Sequence, residues 1–290
     1  MKKKVLVTGA NGQLGKTIQE LNANNTKGLY FMFVSKSELD ITNLDDLKIL
    51  FNKNSFDYVI NCAAYTDVEQ AEKTPKISYK VNAEGVKNIA KVCLEHDTVL
   101  IHISTDYVFD GNTNSFYSEG DQTCPISVYG ASKLQGELNI KNITENYFII
   151  RTSWLYSEYG NNFLKTMLRL ASERDKLSVV SDQIGTPTYA KDLAKVILRF
   201  IAEKTKIFGT YHYSNDGAVS WFDFANAIFK YSNLEVNLKS ISSEELPQEA
   251  KRPKFSVLDK KKIQKNLKIE IPSWEDSLKK CLVNIQKSCN

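Results

Sequence analysis

The sequence predicts an α/β fold, a doubly wound parallel sheet accompanied by a smaller, discontinuous α/β lobe. Three observations carry that expectation. Short β-rich runs alternate with amphipathic stretches of helical length through the first half of the chain. A glycine series stands at the first strand-to-helix turn. After Arg151 the alternation loosens, with no Pro-, Gly- or Ser-rich linker to set the two parts adrift. A chain of 290 residues, 42% hydrophobic and 25% charged, suffices for one large core or two modest ones.

The expected strands of the first half are Lys4 to Thr8, Tyr30 to Ser35, Tyr58 to Asn61, Thr98 to Ile103 and Tyr147 to Arg151. Between them, helices fit Gln13 to Ala23, Leu44 to Asn52, Lys76 to Glu95 and Val128 to Ile140. Parallel strands require right-handed crossovers, and their ligands collect beyond the carboxyl ends, so functional residues are sought there. Beyond Arg151 the sequence predicts a helix from Asn162 to Ser172, a strand from Leu177 to Val180 and a loop over Asp182 to Pro187. A helix from Tyr189 to Ala202 and a strand from Gly209 to Tyr213 return to the sheet. Helices from Trp221 to Tyr231 and Trp274 to Val283 complete the chain.

Composition excludes several classes of function. The formal charge is +4, but the lysines are spread along the chain. Nucleic-acid binding is therefore not expected, although a mild positive field suits a phosphorylated substrate. Lys2, Lys3 and Lys4 resemble the start of a secretion signal, yet the apolar run after them, Val5 to Val7, is too short for one. No stretch approaches eighteen apolar residues, so no membrane span is expected, and the expected compartment is the cytoplasm. Cys62, Cys93, Cys124, Cys281 and Cys289 are odd in number and scattered, which reads as reduced thiols. His96, His102 and His212 are isolated, so neither histidine catalysis nor a bound metal is expected.

The first strand leads into Gly9-Ala10-Asn11-Gly12-Gln13-Leu14-Gly15. Glycines at such a turn let the backbone bend, approach a pyrophosphate and pack helix on strand, while the helix N-terminus offers free N–H groups to phosphates. A tight turn with no ligand is the alternative. The second strand ends Ser35-Lys36-Ser37, with no carboxylate before Glu38. A lysine and two hydroxyls suit a 2′-phosphate, which favours NADPH over NADH. Asp40 and Ile41 follow; Asp40 either meets the adenine amino group or caps a turn. Ala63, Ala64, Tyr65 and Thr66 follow the third strand, where small side chains leave room for a dinucleotide or simply allow close packing.

The fourth strand runs into Ser104-Thr105-Asp106-Tyr107, and Tyr129-Gly130-Ala131-Ser132-Lys133 opens the next helix. Positions i and i+4 share a helix face, which puts the Lys133 ammonium near the Tyr129 phenol. A phenol with a pKa near 10 becomes an acid–base group at neutral pH when about 4 kcal/mol of differential stabilisation favours its phenolate. Lys133 and a positively charged nicotinamide are the expected sources. Of fourteen tyrosines, Tyr129 alone has lysine four residues on. Glycine loop, strand-end hydroxyl and Tyr/Lys pair in this order point to a nicotinamide-dependent oxidoreductase.

These segments, with Asn61-Cys62-Ala63-Ala64-Tyr65-Thr66, Arg151-Thr152-Ser153-Trp154-Leu155-Tyr156, Gly160-Asn161-Asn162-Phe163, Asp182-Gln183-Ile184-Gly185-Thr186-Pro187 and Arg252-Pro253, resemble the dTDP-4-dehydrorhamnose reductase family of the extended short-chain dehydrogenase/reductase superfamily. The resemblance runs nearly end to end. It implies reduction of the C4 ketone of dTDP-6-deoxy-L-lyxo-4-hexulose to dTDP-L-rhamnose. It also implies contact of Gly12, Gln13, Leu14, Asp40, Ile41, Ala64, Tyr65 and Thr66 with the dinucleotide. Tyr129 would protonate the C4 oxyanion, Lys133 tune Tyr129, and Thr105 orient the carbonyl. Asp106 and Trp154 would contact the nucleotide-sugar, Trp154 being core filler on the alternative reading. Arg252 would meet the diphosphate or pin the C-terminal segment. The implied division gives 1–151 and 184–213 to a dinucleotide-binding Rossmann domain, and 152–183 and 214–290 to a nucleotide-sugar-binding lobe.

Some relatives of this family form dimers around Mg2+ held by carboxylates, one of them just after the glycine loop, where this chain has Lys16 and Thr17. A monomer or weak homodimer without metal is therefore expected. Two other functions remain open at this point. A nucleotide-sugar epimerase or 4,6-dehydratase reuses the same loop and pair, but a dehydratase places a second carboxylate after Asp106, where Tyr107 stands. A non-catalytic dinucleotide-binding regulatory subunit is the other, and it would have no use for a tuned phenol.

Overall fold

The computed structural model describes residues 2–24, 28–203, 205–246 and 248–289. Its first half is built from β1 (Lys3–Thr8), α1 (Gln13–Asn24), β2 (Leu29–Val34), α2 (Leu44–Lys53), β3 (Tyr58–Asn61), α3 (Val68–Lys73), α4 (Pro75–Tyr79), α5 (Val86–Glu95), β4 (Val99–Thr105), α6 (Val128–Ile143) and β5 (Tyr147–Thr152). The second half adds β6 (Leu155–Tyr156), α7 (Phe163–Glu173), β7 (Lys176–Val180), β8 (Ile184–Gly185), β9 (Thr188–Tyr189), α8 (Ala190–Ala202), β10 (Gly209–His212), β11 (Val219–Ser220), α9 (Trp221–Tyr231), β12 (Asn237–Ile241), α10 (Lys261–Leu267) and α11 (Trp274–Cys289).

Six parallel strands form the central sheet in the order β10-β5-β4-β3-β1-β2. Side chains alternate across each strand, so Val5 and Val7 enter one core with Ile18, Leu193 and Ile197, while Leu6 enters the other with Leu47, Val86 and Ile89. Burial on both faces explains why these strands read as continuous apolar runs. The chain leaves β1 for β2 on one side and then returns to β3 on the other. That reversal opens a crevice beyond the ends of β1 and β3, where open α/β sheets take ligands. A third core, with Leu164, Phe224, Ile228 and Leu278, belongs to α7, α9 and α11.

Several expected boundaries change. The helix expected over Lys76 to Glu95 is interrupted by a π-helical turn, Lys80–Gly85, between α4 and α5. The final helix continues to Cys289 instead of stopping at Val283. Sequence patterning missed α3, β12 and α10. The strand β12 pairs with β7 and exposes most of its residues, so it carries no apolar run. The seven-residue α10 buries only Ile263 and Leu267.

Candidate active site

A cavity of about 560 Å³ opens over the crevice, bounded by the glycine loop, the end of β4, the first turns of α6 and the two tryptophans Trp154 and Trp221. The glycine loop reaches it under tight constraint. Gly9 adopts φ +67°, and a Cβ there would stand 2.6 Å from the Ala63 amide nitrogen. At Gly15 a Cβ would come within 2.5 Å of the Gly9 carbonyl oxygen, so helix and strand close on each other only with glycine. Gly12, Gln13 and Leu14 line the cavity beyond. A cradle so bare of side chains fits the pyrophosphate of a dinucleotide.

Hydrogen bonds set the neighbouring segments. The Thr8 hydroxyl donates to Asn61 Oδ1 at 2.7 Å, which also accepts from the Ala63 amide at 3.2 Å. Asn82, buried in the π-helical turn, takes the Tyr65 amide (2.8 Å) and donates to the Tyr65 carbonyl (2.9 Å). Its Nδ2 also donates to Ser132 Oγ at 3.0 Å, joining the 63–66 loop to α6. Gln13 Oε1 accepts from Ser157 Oγ (3.1 Å) and Asn162 Nδ2 (2.9 Å), which ties the glycine loop to the cavity wall contributed by the second half of the chain.

At the end of β2 the expected free hydroxyls are not free. Glu38 Oε2 accepts from the Ser35 amide at 2.8 Å and from Ser35 Oγ at 2.6 Å. Glu38 is the first carboxylate after the strand, and the turn folds it back over the strand end. Asp40 Oδ1 accepts from the Thr42 amide at 2.9 Å, the turn-capping alternative of the two considered, and that bond holds its carboxyl below the usual range. Ile41 is buried against Gly85.

The groups at the end of β4 are withdrawn from water. Tyr129 and Thr105 face the same cavity, and Thr105 Oγ1 donates to Asp106 Oδ1 at 3.1 Å. Asp106 Oδ2 has no hydrogen-bond partner among the described residues. Burial pushes Asp106 up to about 6, outweighing the nearby hydroxyls of Ser256 and Thr105. Lys133 is 2% exposed and donates to the Ile103 carbonyl at 2.6 Å. Burial brings its ammonium down to about 8, against the favourable charge of Glu137. Tyr129 itself is pushed up to about 12 by burial; Thr105 is the group that lowers it. The expectation was that Lys133 lowers this acidity; its ammonium donates to Ile103, and burial is the largest influence on the phenol. Beneath Lys133, Glu137 binds Arg151 through two bonds of 2.9 and 2.7 Å and accepts from Ser104 Oγ at 2.6 Å. This buried pair clamps α6 to β4 and β5.

From the second half, Trp154 stands at φ +46°, a conformation that bulky side chains rarely adopt. Its ring lies against Gly185, where a Cβ would come 2.5 Å from Cε2, and stacks on Trp221 with centroids 3.5 Å apart and planes 8° from parallel. Arg252 is not in the cavity wall. Its guanidinium pairs with Glu69 at 2.6 Å, while Glu69 also accepts from the Glu249 amide. Those contacts fasten the C-terminal segment to α3. Among the described residues no group of three or more His, Cys, Asp or Glu is placed to hold a metal ion.

The sequence profile of the RmlD substrate binding domain family matches residues 2–287. A dTDP-4-dehydrorhamnose reductase of Aggregatibacter actinomycetemcomitans is 43% identical over 288 residues, covering 95% of this chain and 97% of the relative. The chain belongs to the family of dTDP-4-dehydrorhamnose reductases. Solved structures agree: the Bacillus anthracis reductase in complex with NADP superimposes with a TM-score of 0.94 at 45% identity, covering 98% of this chain and all of that one. A Clostridium acetobutylicum reductase gives a TM-score of 0.93 at 42% identity, covering 98% and 99%.

Within this reductase fold, the cavity gathers Gly12, Gln13, Leu14, Ala64, Thr66, Thr105, Asp106, Tyr129, Lys133 and Trp154 from the expected set. Gly9 and Gly15 shape the loop from behind, and Arg252 stands apart. Trp221 and the wall residues Gly160, Asn161 and Asn162 were not foreseen as site residues, nor was Asn82. Trp221 carries no local motif, and Asn82 acts through a π-helical turn that no periodicity announces.

Proposed function

We propose that the chain reduces the C4 ketone of dTDP-6-deoxy-L-lyxo-4-hexulose to dTDP-L-rhamnose with NADPH, NADH being the alternative coenzyme. The observation that carries this reading is a single cavity that gathers Thr105, Tyr129 and Lys133 between the glycine loop on one side and Trp154 on the other. The Bacillus anthracis relative was crystallised with NADP, and the backbone cradle of Gly9, Gly12 and Gly15 suits that group. When bound, the coenzyme supplies hydride for C4.

The remaining chemistry falls to the chain. Thr105 holds the ketone oxygen and Tyr129 together, and Tyr129 gives its proton to the oxyanion as charge develops there. A phenol pushed up to about 12 is fully protonated at neutral pH, as a proton donor must be. Lys133, whose ammonium is held at the Ile103 carbonyl, orients the nicotinamide ribose and returns the proton to Tyr129. Asp106 and the Trp154 ring receive the sugar, and Arg252 acts on the substrate only by holding α3 in place. Residues 1–151 with 184–213 bind the dinucleotide, and 152–183 with 214–290 bind the nucleotide-sugar.

Tyr107 following Asp106 leaves no second carboxylate for a dehydratase, and the intact Thr105, Tyr129 and Lys133 set speaks against a regulatory subunit. No described helix is long and apolar enough to cross a membrane. We propose a cytoplasmic monomer or weak homodimer that binds no nucleic acid. The test is a coupled assay with the 4-keto sugar and NADPH or NADH. Stoichiometric coenzyme oxidation supports the reductase; product without net oxidation would replace it with an epimerase.

A further inference from the structure

The turn after β2 carries an arrangement that the function above leaves unused. Glu38 returns over the strand end, and its Oε2 accepts from both the amide and the hydroxyl of Ser35, at 2.8 and 2.6 Å. Ser35 Oγ also lies 3.0 Å from Ser37 Oγ. Lys36, Ser37 and Glu38 are solvent-exposed, whereas Ser35 is buried. The preceding residue, Val34, accepts from the Ala10 amide at 3.1 Å, so this seat stands beside the glycine loop. A dinucleotide on that loop brings its adenosine ribose to the end of the second strand. A carboxylate there accepts from a 2′-hydroxyl; a 2′-phosphate needs donors instead. The donors best placed for such a phosphate, the Ser35 amide and hydroxyl, are the ones Glu38 occupies.

We propose that Glu38 sets the choice between NADH and NADPH by competing with the 2′-phosphate for Ser35. The proposal rests on the reading of the cavity as a nicotinamide-dinucleotide site. With NADH, the carboxylate keeps its seat, and its other oxygen is open to the ribose 2′-hydroxyl. With NADPH, two anions contend for one pair of donors. The carboxylate is the one that yields, because it is already exposed and its displacement uncovers no buried charge. The phosphate then takes the amide and hydroxyl of Ser35 and the hydroxyl of Ser37, with Lys36 alongside. A chain built this way accepts both coenzymes and holds NADPH less tightly than its Ser-Lys-Ser segment allows.

The test measures dissociation constants of NADPH and NADH by nicotinamide fluorescence, without sugar, on the unmodified protein, Glu38→Gln and Glu38→Ala. Melting temperatures serve as the check on folding. Glu38→Ala is expected to raise the NADPH-to-NADH affinity ratio about tenfold, with Glu38→Gln moving it in the same direction. Adding Ser35→Ala to Glu38→Ala is expected to weaken NADPH and leave NADH nearly unchanged. A ratio within twofold of the unmodified protein in both Glu38 variants overturns the proposal while leaving the dinucleotide site intact. Failure of the unmodified protein to bind either coenzyme overturns the dinucleotide reading and this proposal with it.

Discussion

At the carboxyl end of β4, Thr105, Asp106 and Lys133 are withdrawn from solvent, and one Asp106 oxygen is left without a partner among the described residues. At the carboxyl end of β2, in the same sheet, Lys36, Ser37 and Glu38 stand in water and bond through the turn itself. The first region uses burial to move acidity: Asp106 up to about 6, Tyr129 up to about 12, Lys133 down to about 8. The second relies on hydrogen bonds within an exposed turn. Chemistry needs groups whose protonation is fixed before the substrate arrives, and recognition of a variable ribose needs groups that yield.

That contrast is open to direct attack, most severely at the reacting group. Tyr129→Phe is expected to lower kcat/KM by about 10²- to 10⁴-fold while NADPH affinity stays as before. Turnover near that of the unmodified protein would remove Tyr129 from the chemistry. On α6, Glu137→Gln leaves the Arg151 guanidinium buried without its counter-charge, which costs about 3–5 kcal/mol of stability by denaturant unfolding. A loss below about 1 kcal/mol would mean that water reaches Arg151 and that the region is less dry than described.

Asp106 offers a test with a definite sign. Its folded value, about 6, lies above the unfolded one, so its contribution to stability is full below about pH 4 and is lost as pH rises through 6. Ionised in the fold, it costs up to about 3 kcal/mol at pH 8. Asp106→Asn should therefore stabilise the protein at pH 8 and not at pH 4, while reducing activity on the sugar. An equal change in melting temperature at both pH values would show an ordinary carboxylate. The smallest effect is expected at the aromatic wall. Trp221→Ala removes a stacking worth about 1 kcal/mol, enough to raise KM for the sugar roughly fivefold with NADPH affinity unmoved. A shift in coenzyme affinity instead would place the tryptophan pair on the wrong ligand.

Local features were legible wherever the cause was local. Strands β1, β3, β4 and β5 could be read from apolar runs because burial on both faces demands them. Glycines at 9, 12 and 15 announced a cradle, and the four-residue spacing of Tyr129 and Lys133 announced a shared helix face. What spacing did not disclose was direction. It put Lys133 beside Tyr129, yet the ammonium donates to Ile103, and the phenol answers to burial and Thr105. It left the place of Glu38 open, and a tight turn returns it to Ser35. Of the two roles open to Arg252, diphosphate contact or pinning the C-terminal segment, its ion pair with Glu69 across nearly two hundred residues of chain fits the second.

By itself, then, the sequence determined the sheet, the glycine turn at its first strand end and the candidate pair Tyr129 and Lys133 on one helix. Each of these follows from periodicity or from the steric freedom of glycine, which act over a few residues. Only the tertiary structure decided how dry each group is, which partner each charge takes, and that Trp221 stacks on Trp154. Desolvation and ion pairing depend on what the rest of the chain brings within a few ångströms. Burial moves the acidity of Tyr129 and Asp106, ion pairing places Arg151 and Arg252, and hydrogen bonds from Ser35 seat Glu38.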